Sequence, residues 1–288
     1  MNKLRVAVLM GGESTEREIS LISGKGVIEN LDRKKYEVEG VILPEEKEKL
    51  FNKFEVVFIA MHGIGGEDGK VQGFLETMKL KYTGCGVLAS AIGMDKKIFR
   101  KLMEREDILM AKETNKVPCV VKPANGGSSV GVKIVKEEKD LQKAIEEVKK
   151  YDKEILIEEY LKGVEVSCGI LGEEVLPVVE IRPKNDFFDY ESKYSESGTR
   201  EICPAEISDE LTKKIQEITK KVFKTIGGRG FGRVDFIIKD EIPYVLEINT
   251  IPGLTPNSLL PKEAKAAGYS YSQMLDKMIE LALKKPLK

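Results

Sequence analysis

Residues 118–135 read PCVVKPANGGSSVGVKIV: an apolar, β-branched run, a glycine–serine loop and a second apolar run. Pro118–Lys122 and Gly131–Val135 have the composition of two short strands. The loop between them, Gly126-Gly127-Ser128-Ser129, is built of small residues. Such residues let backbone N–H groups approach a phosphate closely, and two hydroxyls add donors. Lys122 ends the first strand and places a positive charge beside the loop. An ordinary glycine-rich hairpin is the competing reading, and the adjacent lysine weighs against it. A flexible loop of this kind also serves as a lid. There is no Walker A sequence, because Gly69-Lys70 is followed by Val71.

Towards the N-terminus, strand-like runs alternate with helical ones. Leu4–Met10 ends in Gly11-Gly12, a helix is expected over Ile19–Leu31, and Glu37–Leu43 and Val56–Met61 are further strands. Such alternation implies a parallel sheet. A charged helix is expected over Asp95–Glu106, and the helix after Val135 places Leu141, Ala144, Ile145 and Val148 on one face. Ile155–Glu159, Val164–Leu171 and Val175–Ile181 read as strands. Residues 184–204 are polar and aperiodic, and loops that long are disordered or functional lids. A helix over Asp209–Ile226, capped by Ser208, precedes strands at Phe231–Ile238 and Pro243–Ile248. The turn region Thr250–Pro261 leads to C-terminal helices. The expected division is an N-terminal α/β domain (1–88), a central domain (89–162) and a C-terminal domain (163–288) whose lid is 184–204.

The 288 residues carry 47 basic and 48 acidic side chains, so no overall charge draws the chain to nucleic acid or an anionic membrane. No apolar run approaches 18 residues, and the N-terminal run is too short for a signal peptide. Four widely spaced cysteines, Cys85, Cys119, Cys168 and Cys203, suit reduced thiols in a cytoplasmic enzyme. There is one histidine, His62, so a multi-histidine metal site is excluded within the chain. A metal would sit on oxygen ligands, which favours Mg²⁺ or Mn²⁺ over zinc.

Several side chains stand out. Glu247 and Asn249 are i and i+2 in one strand and share a face. Asp235 lies in the apolar strand before it, where an isolated charge is costly unless paired or metal-bound. These three could hold Mg²⁺, or Arg233, two residues from Asp235, could pair with the carboxylates. Glu158 and Glu165 stand at strand ends, suited to nucleotide hydroxyls or amino groups, or simply solvated. Glu13 and Glu16 follow the first strand at the edge where open parallel sheets bind ligands. A carboxylate there holds a substrate ammonium or caps the next helix. His62 follows the third strand at that same edge, with a catalytic, structural or substrate-orienting role. GCGVLA (84–89) fits G-x-G-x-x-A on paper, but no second strand and acidic residue follow, so a structural crossover is expected rather than a dinucleotide site.

GGESTEREIS, HGIGGEDGKVQG, YTGCGVLASAIGMDK, VKPANGGSSVGV, YESKY, GRVDF and LEINTIPGLTPNS follow one another along nearly the whole chain. In that order they resemble the signatures of D-alanine–D-alanine ligases. The resemblance implies an α/β chain, α+β overall, with an ATP-grasp fold behind an N-terminal open α/β (pre-ATP-grasp) domain. It implies ATP-dependent joining of two D-alanines through an acyl-phosphate, with one or, more usually, two Mg²⁺ (or Mn²⁺), and a homodimer. By the same resemblance Lys96, Lys122 and the lid residue Lys193 contact phosphates, Glu158 the adenine and Glu165 the ribose. Asp235, Glu247 and Asn249 bind metal, while Arg233 and the Gly253 N–H stabilise the reacting oxygens. Glu16 binds the first D-alanine's ammonium and joins Ser128 and Tyr194 in a hydrogen-bonded trio. Ser258 and Leu259 form the second D-alanine's pocket, and Tyr194 fits the peptide-forming branch. The segment between Lys96 and Lys122 is shorter than is usual in the family, so a trimmed central domain is expected. A ligase for another acceptor (D-lactate or D-serine), a non-catalytic nucleotide-binding module and a dinucleotide-dependent oxidoreductase are the competing classes.

Overall fold

In the computed structural model, residues 3–51, 53–127, 129–183 and 199–284 are described. Ser128, Lys193 and Tyr194, with most of the expected lid, lie outside them. The chain starts with β1 (Leu4–Gly11), α1 (Arg17–Asn30), β2 (Tyr36–Leu43), a short 3-10 turn, β3 (Val56–Ile59) and α2 (Lys70–Thr77). β1 lies between β2 and β3, parallel to both, as the alternation of elements requires. Val6, Val8 and Phe58 pack on one face, and Ala7, Leu9, Val57 and Ile59 on the other. A sheet buried on both sides reads as a continuous apolar run, which is why β1 was visible in the sequence.

Two helices follow, α3 (Val87–Met94) and α4 (Lys96–Arg105). Gly84, with φ of +86°, and the extended Gly86 set the turn into α3. α3 is eight residues long and leads into another helix rather than a strand, so GCGVLA is a crossover. Asp95 caps α4 by accepting from the Lys97 and Ile98 amides, both at 3.0 Å.

The central sheet comprises β4 (Cys119–Pro123), β5 (Lys133–Val135) and, after α5 (Glu138–Val148), β6 (Ile155–Glu159), in antiparallel order β5-β4-β6. Its core is small: Cys119, Val121, Val135, Ala144 and Val148 are buried together.

The larger sheet is built from β7 (Val164–Leu171), β8 (Glu174–Val175), β9 (Val179–Pro183), β10 (Thr199–Ile202), and, after α6 (Asp209–Thr225), β11 (Phe231–Lys239) and β12 (Ile242–Asn249). Its order is β10-β9-β7-β11-β12, with β8 paired to β7. The single strand expected over Val175–Ile181 is broken into β8 and β9. Pro177 lies between them and has no N–H to give a ladder. β10 falls inside the stretch expected to be aperiodic lid; it pairs with the edge of β9. The chain closes with α7 (Leu259–Ala266) and α8 (Tyr271–Leu283), so helix begins inside the stretch read as a turn region. Ser208 caps α6, and Ser270 with Gln273 forms a capping box on α8.

The cores cut across the expected 89–162 unit. Ala89, Phe99 and Met103, from α3 and α4, are buried with Val166, Val234 and Phe236 of the large sheet and Ile215 of α6. Met274, Leu275 and Met278 of α8 are buried with Val6, Val8 and Phe58 of the N-terminal sheet. Only the stretch around β4–β6 keeps a core of its own.

Phe99 is 1% exposed and Leu88 is 70% exposed. Phe99→Ala is expected to cost about 3–5 kcal/mol in urea denaturation, and Leu88→Ala to stay within about 0.5 kcal/mol. Similar losses at the two positions would be inconsistent with α4 belonging to the large-sheet core.

Candidate active site

β11 and β12 place four polar side chains in two facing pairs. Arg233 stands opposite Asn249, and Asp235 opposite Glu247, so all four share a sheet face. A register shift between Asp235 and Phe236 marks a bulge directly beside them, a device that ends regular pairing where a sheet edge is re-aimed. Asp235 is buried and heavily partnered. Arg233 donates to it twice, from Nε and Nη2, each at 2.8 Å. Asn249 Nδ2 donates at 2.9 Å, and Ser167 Oγ on the neighbouring β7 donates as well. Burial works against the Arg233 charge, yet the Asp235 carboxylate outweighs it and holds the guanidinium pKa above its usual value. The ion pair that the sequence left as an alternative at Asp235 is therefore present, alongside the shared face that a metal site needs.

Lys96, the first residue of α4, reaches this face and the glycine loop together. Its Nζ donates to the Gly126 carbonyl in the glycine loop and lies 3.4 Å from Glu247 Oε2. Its position is fixed locally: Asp95 caps the helix, and the Lys96 amide donates to the Ala124 carbonyl at 3.0 Å. The glycine loop needs its first glycine. Gly126 has φ of +123°, a conformation that side chains rarely adopt, and nothing lies within 4 Å of where its Cβ would be.

Lys96, Lys122, Glu158, Glu165, Asp235 and Glu247 line one cleft of about 980 Å³ between the central and large sheets. That is room for a nucleotide-sized ligand. A second cleft, of about 590 Å³, is lined by Glu16, Gly12, Gly63 and the same Gly126-Gly127. The glycine loop thus borders both.

Beside the second cleft, serines hold the chain around His62. His62 leaves β3 beside α1, where Ser20 Oγ accepts from its amide at 2.9 Å and Ser14 Oγ donates to its carbonyl at 2.8 Å. Ser23 lies 2.9 Å from Nε2, and Nδ1 lies 3.2 Å from the Ile251 carbonyl. Because Ile251 O can only accept, Nδ1 carries the proton and Nε2 accepts from Ser23. Both ring nitrogens are therefore engaged within the protein, the arrangement that the structural role among those open to His62 requires. Burial pushes its pKa down to about 4. Glu16 is buried at the head of α1, its amide donating to Ser14 Oγ at 3.1 Å.

Ser258 precedes α7, accepting from the Thr255 amide at 3.1 Å, and an added Cβ at Gly253 would come 2.8 Å from its hydroxyl. Leu259 is buried with Val179 and Ile181.

Four polar residues of this region were not singled out in the sequence. Glu67 accepts from the Gly63 amide at 2.8 Å; burial first, and then the Glu16 charge, push its carboxyl well above the usual carboxylate range. Arg100 pairs with Glu158. Ser167 donates to Asp235. Glu263 on α7 is fully buried, and burial pushes its pKa up to about 8. The Gly169 amide faces that carboxylate without reaching hydrogen-bonding geometry. Arg100 had a signal: it is one helical turn from Lys96, on the same face of α4.

A large antiparallel sheet facing a smaller one across a nucleotide-sized cleft, lined by Lys96 and Lys122 and by the carboxylates of Glu158, Asp235 and Glu247, is the ATP-grasp arrangement. The comparisons give the particular family. Residues 89–280 match the family model described as D-ala D-ala ligase C-terminus, and segments 5–51 and 42–85 match D-ala D-ala ligase N-terminus. A D-alanine–D-alanine ligase of Clostridium botulinum (strain Eklund 17B / Type B) is 40% identical over 300 aligned positions, covering 98% of this chain and 99% of that protein. The crystal structure of a D-alanine–D-alanine ligase from Bacillus anthracis complexed with ATP superposes with a TM-score of 0.87 at 38% identity, covering 99% of this chain and 98% of that one. The VanG D-Ala:D-Ser ligase from Enterococcus faecalis does so with a TM-score of 0.84 at 33% identity, covering 98% of this chain and all of that one, 100%. The chain belongs to the D-alanine–D-alanine ligase family.

As the only histidine, His62 can be followed by itself in NMR. Its folded pKa of about 4 lies below the ordinary value of about 6.5. Between those values the unfolded chain takes up a proton that the folded chain refuses, so this group's stability contribution is lost as pH falls through that window. The imidazole signals are expected to stay in the neutral position from pH 8 down to roughly pH 5. A titration midpoint near the ordinary value would contradict the burial of the ring.

Proposed function

We propose that this chain is an ATP-dependent ligase that joins two D-alanines and releases ADP and phosphate, supplying a dipeptide for peptidoglycan precursor synthesis in the cytoplasm. The observation that carries this reading is the glycine loop shared by two clefts, one of nucleotide size, the other headed by a buried Glu16. A phosphate held over that loop lies between both ligands.

In this reading Lys96 and Lys122 take phosphate oxygens, with Lys193 from the lid. Glu158 and Glu165 receive hydrogen bonds from adenine and ribose. Glu16 holds the first D-alanine's ammonium and joins Ser128 and Tyr194 in a hydrogen-bonded trio, so the ammonium end of the substrate is fixed. That leaves its carboxylate to attack the γ-phosphorus as ADP departs. The second D-alanine, seated by Ser258 and Leu259, attacks the acyl-phosphate carbonyl with its free amine. The tetrahedral centre then expels phosphate. Arg233 and the Gly253 N–H stabilise the oxygen charge that builds up at each stage. Two 2.8 Å bonds to Asp235 fix the Arg233 guanidinium before substrate arrives, so little reorganisation remains to be done during reaction. His62, neutral and tied to both α1 and Ile251, holds the N-terminal cleft against the segment leading to Gly253.

The residues proposed for Mg²⁺ fit an oxygen-ligated ion. Asp235 and Glu247 face each other, and Asn249, with its Nδ2 on Asp235, keeps its Oδ1 as an acceptor. Asp235 already accepts four hydrogen bonds, so it binds an ion only by releasing one. One or two such ions would neutralise charge on the transferring phosphoryl group. A homodimer is proposed on family grounds. No helix among the described residues is long and apolar enough to cross a membrane.

ADP release is expected to need ATP, Mg²⁺ and D-alanine together; no ADP above background under those conditions would sink the ligase reading. Glu247→Gln is expected to lower kcat by about 100-fold or more while leaving the circular dichroism spectrum unchanged. Near-normal turnover in that variant would remove Glu247 from the metal set. With D-alanine, D-serine and D-lactate supplied as competing acceptors, D-alanyl-D-alanine is the product expected, and a mixed dipeptide or ester as the main product would reassign the acceptor.

A further inference from the structure

α4 is rooted in one core and reaches into another. Phe99 and Met103 are buried under the large sheet, whereas Arg100, next to Phe99 in the helix, meets the central sheet. There Arg100 Nη2 donates to Glu158 Oε1 on β6, and Lys122 Nζ on β4 lies 2.5 Å from Glu158 Oε2. The Arg100 and Glu158 side chains are each 5% exposed. Glu104 and Glu113 stand 3.7 and 3.6 Å from the remaining guanidinium nitrogens, and Nε makes no hydrogen bond among the described residues. A carboxylate in the wall of the nucleotide cleft is thus gripped by two cations. Only one of them, Lys122, itself lines the cleft.

The two cations have different futures when a nucleotide arrives. Lys122, drawn toward phosphate oxygens, leaves or shares Glu158. Arg100 has no access to the ligand and stays. A buried carboxylate that loses a partner without replacement is costly, so the residue that stays decides where Glu158 points. Arg is suited to that task because its planar donor fork fixes a carboxylate's orientation as well as its place. We propose that Arg100 is the positioning residue for Glu158 and thereby sets the preference for adenine over guanine. This rests on Glu158 being the adenine-side carboxylate of the ligase reading. Adenine offers its amino group to a carboxylate as a donor. Guanine offers a carbonyl at the corresponding position, which repels it. The discrimination is strong only while the carboxylate is held in one orientation, because a site built to receive a donor penalises a ligand that lacks it.

The experiment compares ATP and GTP as phosphoryl donors, with Mg²⁺ and D-alanine, in the full-length protein and in Arg100→Gln, Arg100→Lys, Glu158→Gln and the Arg100→Gln/Glu158→Gln double variant. Arg100→Gln is expected to raise the KM for ATP about 10-fold and leave kcat/KM for GTP and the KM for D-alanine within about 2-fold. The ATP:GTP ratio then falls about 10-fold, while Arg100→Lys, which keeps the charge and loses the fork, falls about 3-fold. In the Glu158→Gln background, Arg100→Gln is expected to change the ratio no further. A ratio unchanged in folded Arg100→Gln overturns the proposal, and so does an equal loss for ATP and GTP, which marks a merely structural residue. If circular dichroism shows Arg100→Gln unfolded, Arg100→Lys carries the comparison, and an unchanged ratio there overturns it. Unaltered protein that uses GTP as well as ATP removes the role of Glu158 and this inference with it, but leaves ligase activity standing. Unaltered protein that releases no ADP with either nucleotide defeats the ligase reading itself.

Discussion

Asp235 holds one buried carboxylate among four hydrogen-bond donors, and the geometry of the candidate site is organised around that anion. Alone in an apolar strand it would be expensive to bury. Arg233 supplies the opposite charge from the same strand, while Ser167 and Asn249 supply neutral donors from the strands on either side. Three neighbouring strands of the large sheet, β7, β11 and β12, are therefore tied around Asp235 by side chains as well as by backbone. The arrangement keeps Arg233 from swinging away from the cleft. It also explains why β7, β11 and β12 must be in register at this point, with the irregularity displaced to the bulge just beyond Asp235.

Around Asp235 the molecule is divided unevenly. α8 shares a core with the N-terminal sheet, and α3 and α4 share one with the large sheet. The central sheet keeps only a small core and meets the rest largely through charged contacts: Arg100 with Glu158, Lys97 with Glu154, and Lys96 with the Gly126 carbonyl. Apolar burial is sensitive to every displaced methylene, whereas long ionic side chains follow a partner over some distance. The sheet that carries the glycine loop is consequently the part best able to shift relative to the other two.

Much of this was legible in the chain itself. Strands buried on one or both faces carry strong apolar runs, so β1, β6, β7, β11 and β12 could be placed within a residue or two. The helix α6, with a clear apolar stripe and a serine cap, was equally plain, and so was the charged helix α4. The same-face relation of Glu247 and Asn249 follows from strand alternation alone. What the sequence concealed depends on contacts between distant segments. Pro177 splitting one expected strand, and β10 finding a partner in β9, are decided by pairing that local periodicity does not encode. Nor could it tell that α4 belongs with the large sheet, because its buried Phe99 and Met103 say only that something covers them. His62 shows the same limit: a lone histidine after a strand invites a chemical role, and only the serines of α1 and the Ile251 carbonyl reveal that its nitrogens are already engaged.

The pairing of Gly169 with Glu263 restricts how this sequence can vary. Gly169 lies opposite Arg233 on β7, and the Glu263 carboxylate and Leu260 fill the space where its side chain would be. Any residue larger than glycine at 169 collides with them while Glu263 is present. A shorter residue at 263 removes one of these obstacles together with a buried acid, while Leu260 still stands in the way. A side chain at 169 therefore requires both neighbours on α7 to give way, so this position is tied to two others and changes in lineages descending from this chain only in company with them.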